Sequence, residues 1–165
     1  MKTAVEKAFV HAARRREAMA SDGVFSLRPR EYTRRVFQMD GACSLIFDIL
    51  EQASGRVAGE IALRVGDGPS LYYLGHIGYH MDPPFRGRHG AERACRMCFP
   101  MLAEMGMRSL IITTDEDNAP SIRTCERLGC EWECTVDVPG WCQSEFDISF
   151  RKRRYVLEGL DAFLK

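Results

Sequence analysis

This sequence of 165 residues lacks an excess of charge of either sign and lacks any long apolar run. Its 23 lysines and arginines balance 23 aspartates and glutamates, so no overall field gathers nucleic acid or an acidic membrane surface. No apolar run approaches the roughly 20 residues that span a bilayer, and Glu6, His11 and the arginines at 14–16 interrupt the N-terminal segment. We therefore expect a cytoplasmic protein, with neither a membrane nor a nucleic acid as partner, that acts on a small molecule or on a local feature of a protein.

The chain also lacks the regular cysteine spacing of a disulfide framework, because its seven cysteines form an odd and irregular set. Cys95-x-x-Cys98, together with Cys130 and Cys134, offers one alternative, a site with four metal ligands. Spacing offers another, since a row of apolar positions recurs at steps of four and three, as on one buried helix face. The residues in this row are Ala91, Cys95, Cys98, Leu102 and Met105. We prefer burial of reduced thiols and predict no metal.

Hydrophobic periodicity predicts hairpins in the first half of the chain and crossover connections in the second. The predicted helices are 3–20, 91–105 and 118–128. The predicted strands are 24–27, 36–39, 45–49, 57–65, 71–81, 109–114, 131–138 and 146–157. Because a helix joins the strand ending at Met81 to the strand beginning at Ser109, we predict that these two strands form a parallel pair. Gly75 and Gly78 within the first of them indicate a bulge or a close approach by another group.

A short basic run, Arg151 to Arg154, is the strongest local argument for nucleic-acid binding. Its side chains alternate along a predicted strand of a neutral protein, so we interpret the run as a solvated face.

The stretch from Met81 to Ala91 joins an apolar strand to a helix through glycines and arginines. Gly87 and Gly90 let backbone N–H groups converge on one small volume at the start of a helix, where they have no partner. The helix dipole and the forked donors of Arg86 and Arg88 would add to the attraction for a phosphate. The alternative is an ordinary glycine turn with surface arginines.

Two motifs at a suitable separation resemble the GNAT superfamily of acyl-CoA-dependent N-acetyltransferases. The first is Arg86-Gly87-Arg88-His89-Gly90-Ala91, which is similar to Arg/Gln-x-x-Gly-x-Gly/Ala. The second is the stretch 117–129, which is similar to the Asn-x-x-Ser…Leu-Gly pattern of that family. Gly59-Glu60-Ile61 also resembles the family's Gly-x-Ile/Leu. The resemblance covers residues 45–138 well and the N-terminal region weakly, and it is closest to the branch with the ribosomal-protein alanine acetyltransferases.

This resemblance implies the α/β (α+β) class, with a mixed, mainly antiparallel sheet that has a V-shaped splay and is flanked by helices. It implies a single domain over 1–165, with an N-terminal helix within 1–22 and a core motif region at 45–138. Acetyl-CoA would be the acyl donor, with no metal. The acceptor would be an amine on a small molecule or a protein, and we leave a homodimer open.

The resemblance also implies a set of contacts to the cofactor. Pantetheine would run like an extra strand beside Tyr79 to Met81, and a backbone N–H there would polarise the acyl carbonyl. The residues implied to contact acetyl-CoA are Tyr79, His80, Met81, Arg86, Gly87, Arg88, His89, Gly90, Ala91, Asn118 and Ser121.

Two positions depart from the family's pattern. His89 stands where the motif usually has its middle glycine, so its side chain must point away from the phosphates or join them as a donor. Cys125 stands where many relatives carry a tyrosine that protonates the departing CoA thiolate. Its thiol could replace that acid, could itself be acylated, or could simply belong to the core.

Direct transfer of the acetyl group also needs a proton acceptor for the attacking amine. Glu60, His76 and His80 lie on the two strands expected to flank the acyl end, and strand alternation puts the two histidines on one face unless a bulge intervenes. With Cys125, these three residues are the candidate catalytic side chains. Because the glycine and the tyrosine of the pattern are both replaced, a CoA-binding or protein-interaction module without catalysis is the alternative function.

Overall fold

The computed structural model describes residues 1–164; Lys165, the last residue of the predicted domain, lies outside them. The helices are α1 (Ala4–Arg15), α2 (Pro69–Leu74), α3 (Gly90–Glu104), α4 (Ala119–Arg127) and α5 (Gly140–Phe146). The strands are β1 (Ala20–Ser21), β2 (Phe25–Val36), β3 (Ala42–Glu51), β4 (Val57–Val65), β5 (Ile77–Met81), β6 (Ser109–Thr114), β7 (Glu131–Asp137) and β8 (Arg151–Glu158).

The strands form two sheets that diverge from one another. One sheet has the order β1-β2-β3-β4-β5 and the other the order β6-β8-β7, and every pair in both is antiparallel. This mainly antiparallel architecture, flanked by helices, confirms the predicted fold class. The predicted parallel pair is wrong, because β5 and β6 belong to different sheets. They are joined near their start, where the N–H of His76 donates to the carbonyl oxygen of Ile111 at 2.7 Å.

The predicted strand 71–81 is wrong in its first half, which is the helix α2. Pro69 opens this helix at a position where its missing N–H costs nothing, and Gly75, at φ +74°, ends it. The aromatic residues Tyr72 and Tyr73 favour a strand by propensity alone, but the helix-start and helix-end signals of Pro69 and Gly75 outweigh that preference. The close approach predicted at Gly75 is a packing contact, since a Cβ there would lie 2.8 Å from the carbonyl oxygen of Ile111.

Other boundaries also differ from the prediction, and the helix predicted at 3–20 ends at Arg15. The strand predicted at 24–27 extends to Val36 as β2, whose register shifts twice against β3, and the strand predicted at 36–39 is wrong because Phe37–Met39 form a 3-10 helix. The strand predicted at 146–157 begins only at Arg151, since Phe146 ends α5 and residues 147–150 form a turn and irregular chain. In β2 the polar residues from Arg28 to Arg35 conceal the pairing that β3 imposes.

The core lies between the five-stranded sheet and α3. Cys95 and Cys98 are fully buried there beside Phe47 and Phe99, which confirms burial as the reason for the cysteine spacing. Complete burial of a side chain as large as Phe99 contributes about 1.5–3 kcal/mol. Within residues 1–164 there is no cluster of three or more side chains of the kinds that bind metals. No helix in the same residues is long and apolar enough to cross a membrane.

The basic run on β8 is a solvated face only in part, because Arg151 is exposed while Lys152 and Arg154 are not. Arg154 is only 3% exposed and the side chain of Lys152 is 14% exposed, because both point inward from the central strand of the second sheet. The Nε of Arg154 donates to Glu133 at 2.7 Å, and the Nζ of Lys152 donates to Asp115 at 2.6 Å. Each buried cation therefore has its own carboxylate.

Candidate active site

A cavity of about 590 Å³ lies where the two sheets diverge, between the end of β5, the loop before α3 and one face of α4. Ten of the eleven residues predicted to contact the cofactor line it: Tyr79, His80, Met81, Arg86, Gly87, His89, Gly90, Ala91, Asn118 and Ser121. Residues separated by some 40 positions in the chain thus line the same cavity.

The start of α3 is built to receive an anion. Gly87 (φ +81°) and His89 (φ +57°) both take left-handed conformations, which turn the chain sharply into the helix. No side chain caps this helix end, so its first N–H groups and the positive end of its dipole face the cavity. His89 therefore adopts the backbone conformation that a glycine would favour, at a cost to a non-glycine residue of about 1–2 kcal/mol.

Two other glycines near the cavity lie close against β5, and packing requires the one at position 59. A Cβ on Gly90 would overlap the side chain of Met81, and one on Gly59 would overlap the carbonyl oxygen of His80. Gly59 is paired with Met81 across β4 and β5. These glycines hold β5 close to its neighbours and so shape the cavity edge.

Arg88 is the predicted contact that does not line the cavity. Its guanidinium pairs with Glu51 and lies 5.3 Å from the ring centroid of Phe25. Two arginines of α4 line the cavity instead of Arg88. They are Arg123 and Arg127, which lie four residues apart on one side of the helix. Sequence reasoning missed both, although this spacing beside the second motif was a usable signal.

A second cavity, of about 220 Å³, adjoins the first between β5 and β6. Both cavities are lined by Tyr79, Asn118 and Ser121. The hydroxyl of Tyr79 lies 2.7 Å from the Oγ of Ser121, so this hydrogen-bonded pair stands at the boundary. Burial raises the pKa of Tyr79 well above its usual range, which keeps its hydroxyl protonated as a donor.

Asn118 stands at the N-terminus of α4. Its side-chain oxygen accepts a hydrogen bond from the N–H of Ser121 at 3.2 Å, an N-cap that fixes the first turn of the helix. The side-chain NH₂ of Asn118 makes no hydrogen bond within residues 1–164. Asn118 therefore positions Ser121 and keeps two donors for a ligand in the cavity.

Cys125 has no solvent exposure and lines neither cavity. Burial raises its pKa to about 12, so it holds its proton at neutral pH. A thiol that is covered on all sides packs as a small hydrophobic residue. This geometry favours the core interpretation of Cys125 over the catalytic one.

The three predicted proton acceptors have different surroundings. His76 uses both ring nitrogens: Nδ1 accepts from the N–H of Ile111 at 2.9 Å and Nε2 donates to the carbonyl oxygen of Gly66 at 3.3 Å. Glu60 is paired with Arg30 at 2.7 Å and lines neither cavity. His80 lies opposite Glu60 in the β4–β5 register, lines the larger cavity and has a side chain 60% exposed. Of the three, His80 has the geometry of a group that can reach a ligand.

Comparison with known proteins agrees with this geometry. The family model described as acetyltransferase (GNAT) domain matches residues 6–131. No curated protein sequence matches the chain.

Solved structures resemble the fold at low sequence identity. The microcin C7 self-immunity acetyltransferase MccE, in complex with acetyl-CoA and AMP, is 19% identical with a TM-score of 0.53, over 70% of this chain and 61% of that chain. The ribosomal L7/L12 α-N-protein acetyltransferase RimL is 20% identical with a TM-score of 0.52, over 70% and 69%. The ribosomal-protein-S5-alanine acetyltransferase from Vibrio fischeri is 14% identical with a TM-score of 0.54, over 70% and 62%. The match thus spans less than two thirds of MccE and of the Vibrio enzyme.

Proposed function

The chain belongs to the acetyltransferase (GNAT) family, and we propose that it transfers an acetyl group from acetyl-CoA directly to a primary amine. One observation carries this proposal: two adjoining cavities meet at the Tyr79–Ser121 hydroxyl pair. The larger cavity has the features of a site for the acyl donor, and the smaller one leaves room for an acceptor on the other side.

The larger cavity suits CoA in both charge and shape. The uncapped start of α3 offers N–H donors to a pyrophosphate, and Arg123 and Arg127 add two cations beside it. β5 is the last strand of its sheet, so its outer edge can pair with the amides of pantetheine at Tyr79, whereas the carbonyl oxygen of Met81 accepts a hydrogen bond from the Nε of Arg86 at 3.0 Å. We assign this edge as the pantetheine site.

The hydroxyl pair suits the departing thiolate. As the amine attacks the thioester carbonyl, the C–S bond breaks and negative charge develops on sulfur, which a buried hydroxyl can stabilise by donating a hydrogen bond. Tyr79 thereby supplies from β5 the hydroxyl that the pattern usually carries at position 125. A backbone N–H of β5 would polarise the carbonyl oxygen. Of the four predicted catalytic side chains, His80 alone lines the larger cavity, and we propose it as the proton acceptor.

Turnover of acetyl-CoA tests this function. The protein is mixed with acetyl-CoA and a panel of amines that includes free amino acids, simple alkyl and aryl amines, polyamines and short peptides, and release of free thiol is followed. We expect thiol release that depends on the amine and yields the N-acetylated product. Binding of CoA without amine-dependent turnover across the panel would overturn the enzymatic proposal and favour a module that binds CoA without catalysis.

The state of the cysteines supports a cytoplasmic setting for this proposal. All seven are free, and five of them are buried. Unpaired thiols persist where the compartment is reducing, and acetyl-CoA would be the donor there.

A further inference from the structure

The smaller cavity contains a cation that has no acidic partner among residues 1–164. Arg64 reaches it from β4, and its Nη1 donates to the carbonyl oxygens of Leu74 at 3.2 Å and Gly75 at 3.3 Å. No carboxylate within residues 1–164 forms an ion pair with Arg64, and burial lowers its pKa. A desolvated guanidinium with only carbonyl partners remains a site that attracts an anion.

The position of Arg64 depends on Gly78. A Cβ at Gly78 would come within 2.7 Å of the Nη2 of Arg64, so the absence of a side chain lets the guanidinium cross β5 toward the gap between the sheets. This contact accounts for the close approach predicted at Gly78. It also shows that the chain makes room for a charge at this point.

The other charges at the cavity cancel. The Nζ of Lys152 lies 2.6 Å from the Oδ1 of Asp115, which also accepts from the hydroxyl of Ser149 at 2.6 Å. One carboxylate thus offsets one ammonium group, and the charge of Arg64 is left over. The cavity therefore has one net positive charge to offer an occupant.

The rest of the lining limits the size and polarity of that occupant. Tyr73, Ile77 and Ile148 form apolar walls, while Tyr79, Asn118 and Ser121 connect the cavity with the proposed CoA site. A volume of about 220 Å³ is small for a ligand site, since sites for drug-sized molecules usually have about 300–1,000 Å³. An amine of amino-acid size, with one anionic group and some apolar surface, fits these limits.

We propose that the smaller cavity is the acceptor site and that it takes an amine bearing a carboxylate, as a free amino acid does, with the carboxylate bound by Arg64. The inference rests on the proposed acetyl transfer. The amine would face the boundary with the CoA site, and the carboxylate would replace the missing partner of the guanidinium. A bidentate pair in a partly desolvated cavity is among the stronger polar contacts in proteins.

Matched acceptors test this proposal on the wild-type protein. Each amino acid of a panel is compared with the amine obtained by removing its carboxyl group and with its methyl ester, under saturating acetyl-CoA. We expect kcat/KM to be about 10- to 100-fold higher for the amino acid, mainly through KM, because a hydrogen-bonded charge pair is lost with the carboxylate. Equal or better turnover of the decarboxylated amines, of the esters or of peptide N-termini would overturn the inference and leave the acetyl transfer standing. If no acceptor of any kind is acetylated, both proposals fail.

Variants locate the preference at Arg64. In Arg64→Gln the amino acid and its decarboxylated amine should be used about equally, while the KM for acetyl-CoA stays unchanged. Arg64→Lys should recover part of the preference, because lysine keeps the positive charge but lacks the planar pair of N–H donors that binds both carboxylate oxygens. Arg35→Gln, an exposed arginine that lines neither cavity, is the matched control and should keep the full preference. A full preference in folded Arg64→Gln would assign the carboxylate to another group and overturn the role of Arg64.

Discussion

Replacing Tyr79 by Phe separates the two candidate sources of a hydroxyl or thiol near the departing sulfur. The substitution removes one oxygen and keeps the half-buried ring. It deletes the 2.7 Å hydrogen bond to Ser121, whose hydroxyl remains at the cavity boundary. A bond of this kind contributes about 0.5–1.5 kcal/mol to stability, so the variant should fold. In contrast, loss of a hydroxyl that stabilises the leaving thiolate should lower kcat by about 100-fold.

The assay is amine-dependent thiol release, with kcat and the KM for acetyl-CoA measured separately. We expect KM to change by less than about threefold, because a contact made only in the transition state affects kcat and kcat/KM alike. The loss should shrink when an acetyl thioester with a more acidic thiol replaces acetyl-CoA, because a weaker base needs less stabilisation. A purely structural role of the hydroxyl would show no dependence on the leaving group.

Cys125→Ala is the matched control, since it changes the neighbouring position that the family pattern marks. It should lower the free energy of unfolding by about 1 kcal/mol through the small cavity it leaves, and it should keep kcat. A Tyr79→Phe variant with nearly normal kcat, beside a Cys125→Ala variant without activity, would refute the assignment of the proton donor to Tyr79 and restore it to the thiol.

Three further predictions follow from single contacts. His89→Gly should raise the free energy of unfolding by about 1 kcal/mol, because glycine adopts φ +57° without strain. A lower free energy of unfolding than that of the wild type, measured by urea denaturation, would contradict this. Arg127→Gln should weaken CoA binding by about 3- to 10-fold, and calorimetry should show the difference shrinking at high salt. The free energy of unfolding should fall as pH drops below about 6.5, because burial lowers the pKa of His76 and the unfolded chain therefore binds the proton first. In His76→Gln the free energy of unfolding should depend less steeply on pH in this range.

Local patterns account for the elements that the sequence predicts well. The steps of four and three at the cysteines follow the turn of α3, and the alternation from Val57 to Val65 follows the pleat of β4. The predicted limits of β6 match the structure because a short β-branched run is bounded on both sides. The strand prediction for 71–81 is wrong only in its first half, since Pro69 and Gly75 act as helix signals only when they are weighed against the aromatic residues between them.

Most predicted cofactor residues are local as well, because they lie in two continuous motifs, and Tyr79, His80 and Met81 lie on the strand just before the first motif. Arg88 shows the limit of such reasoning, since its direction is decided by Glu51 and Phe25, which lie far away in the chain. The homodimer and the role of His80 stay predictions, because the fold of one chain tests neither.

The sequence by itself determined the family, the loop before α3 and the helical burial of the cysteines, because each depends on spacing over a few residues. Only the tertiary structure decided which side chains face one another. Tyr79 meets Ser121 from 42 positions away, and Arg64 crosses Gly78 to reach a cavity whose opposite wall comes from β6 and β8. Such contacts depend on how two sheets diverge, which is set by the packing of the whole core and by no single segment of the chain.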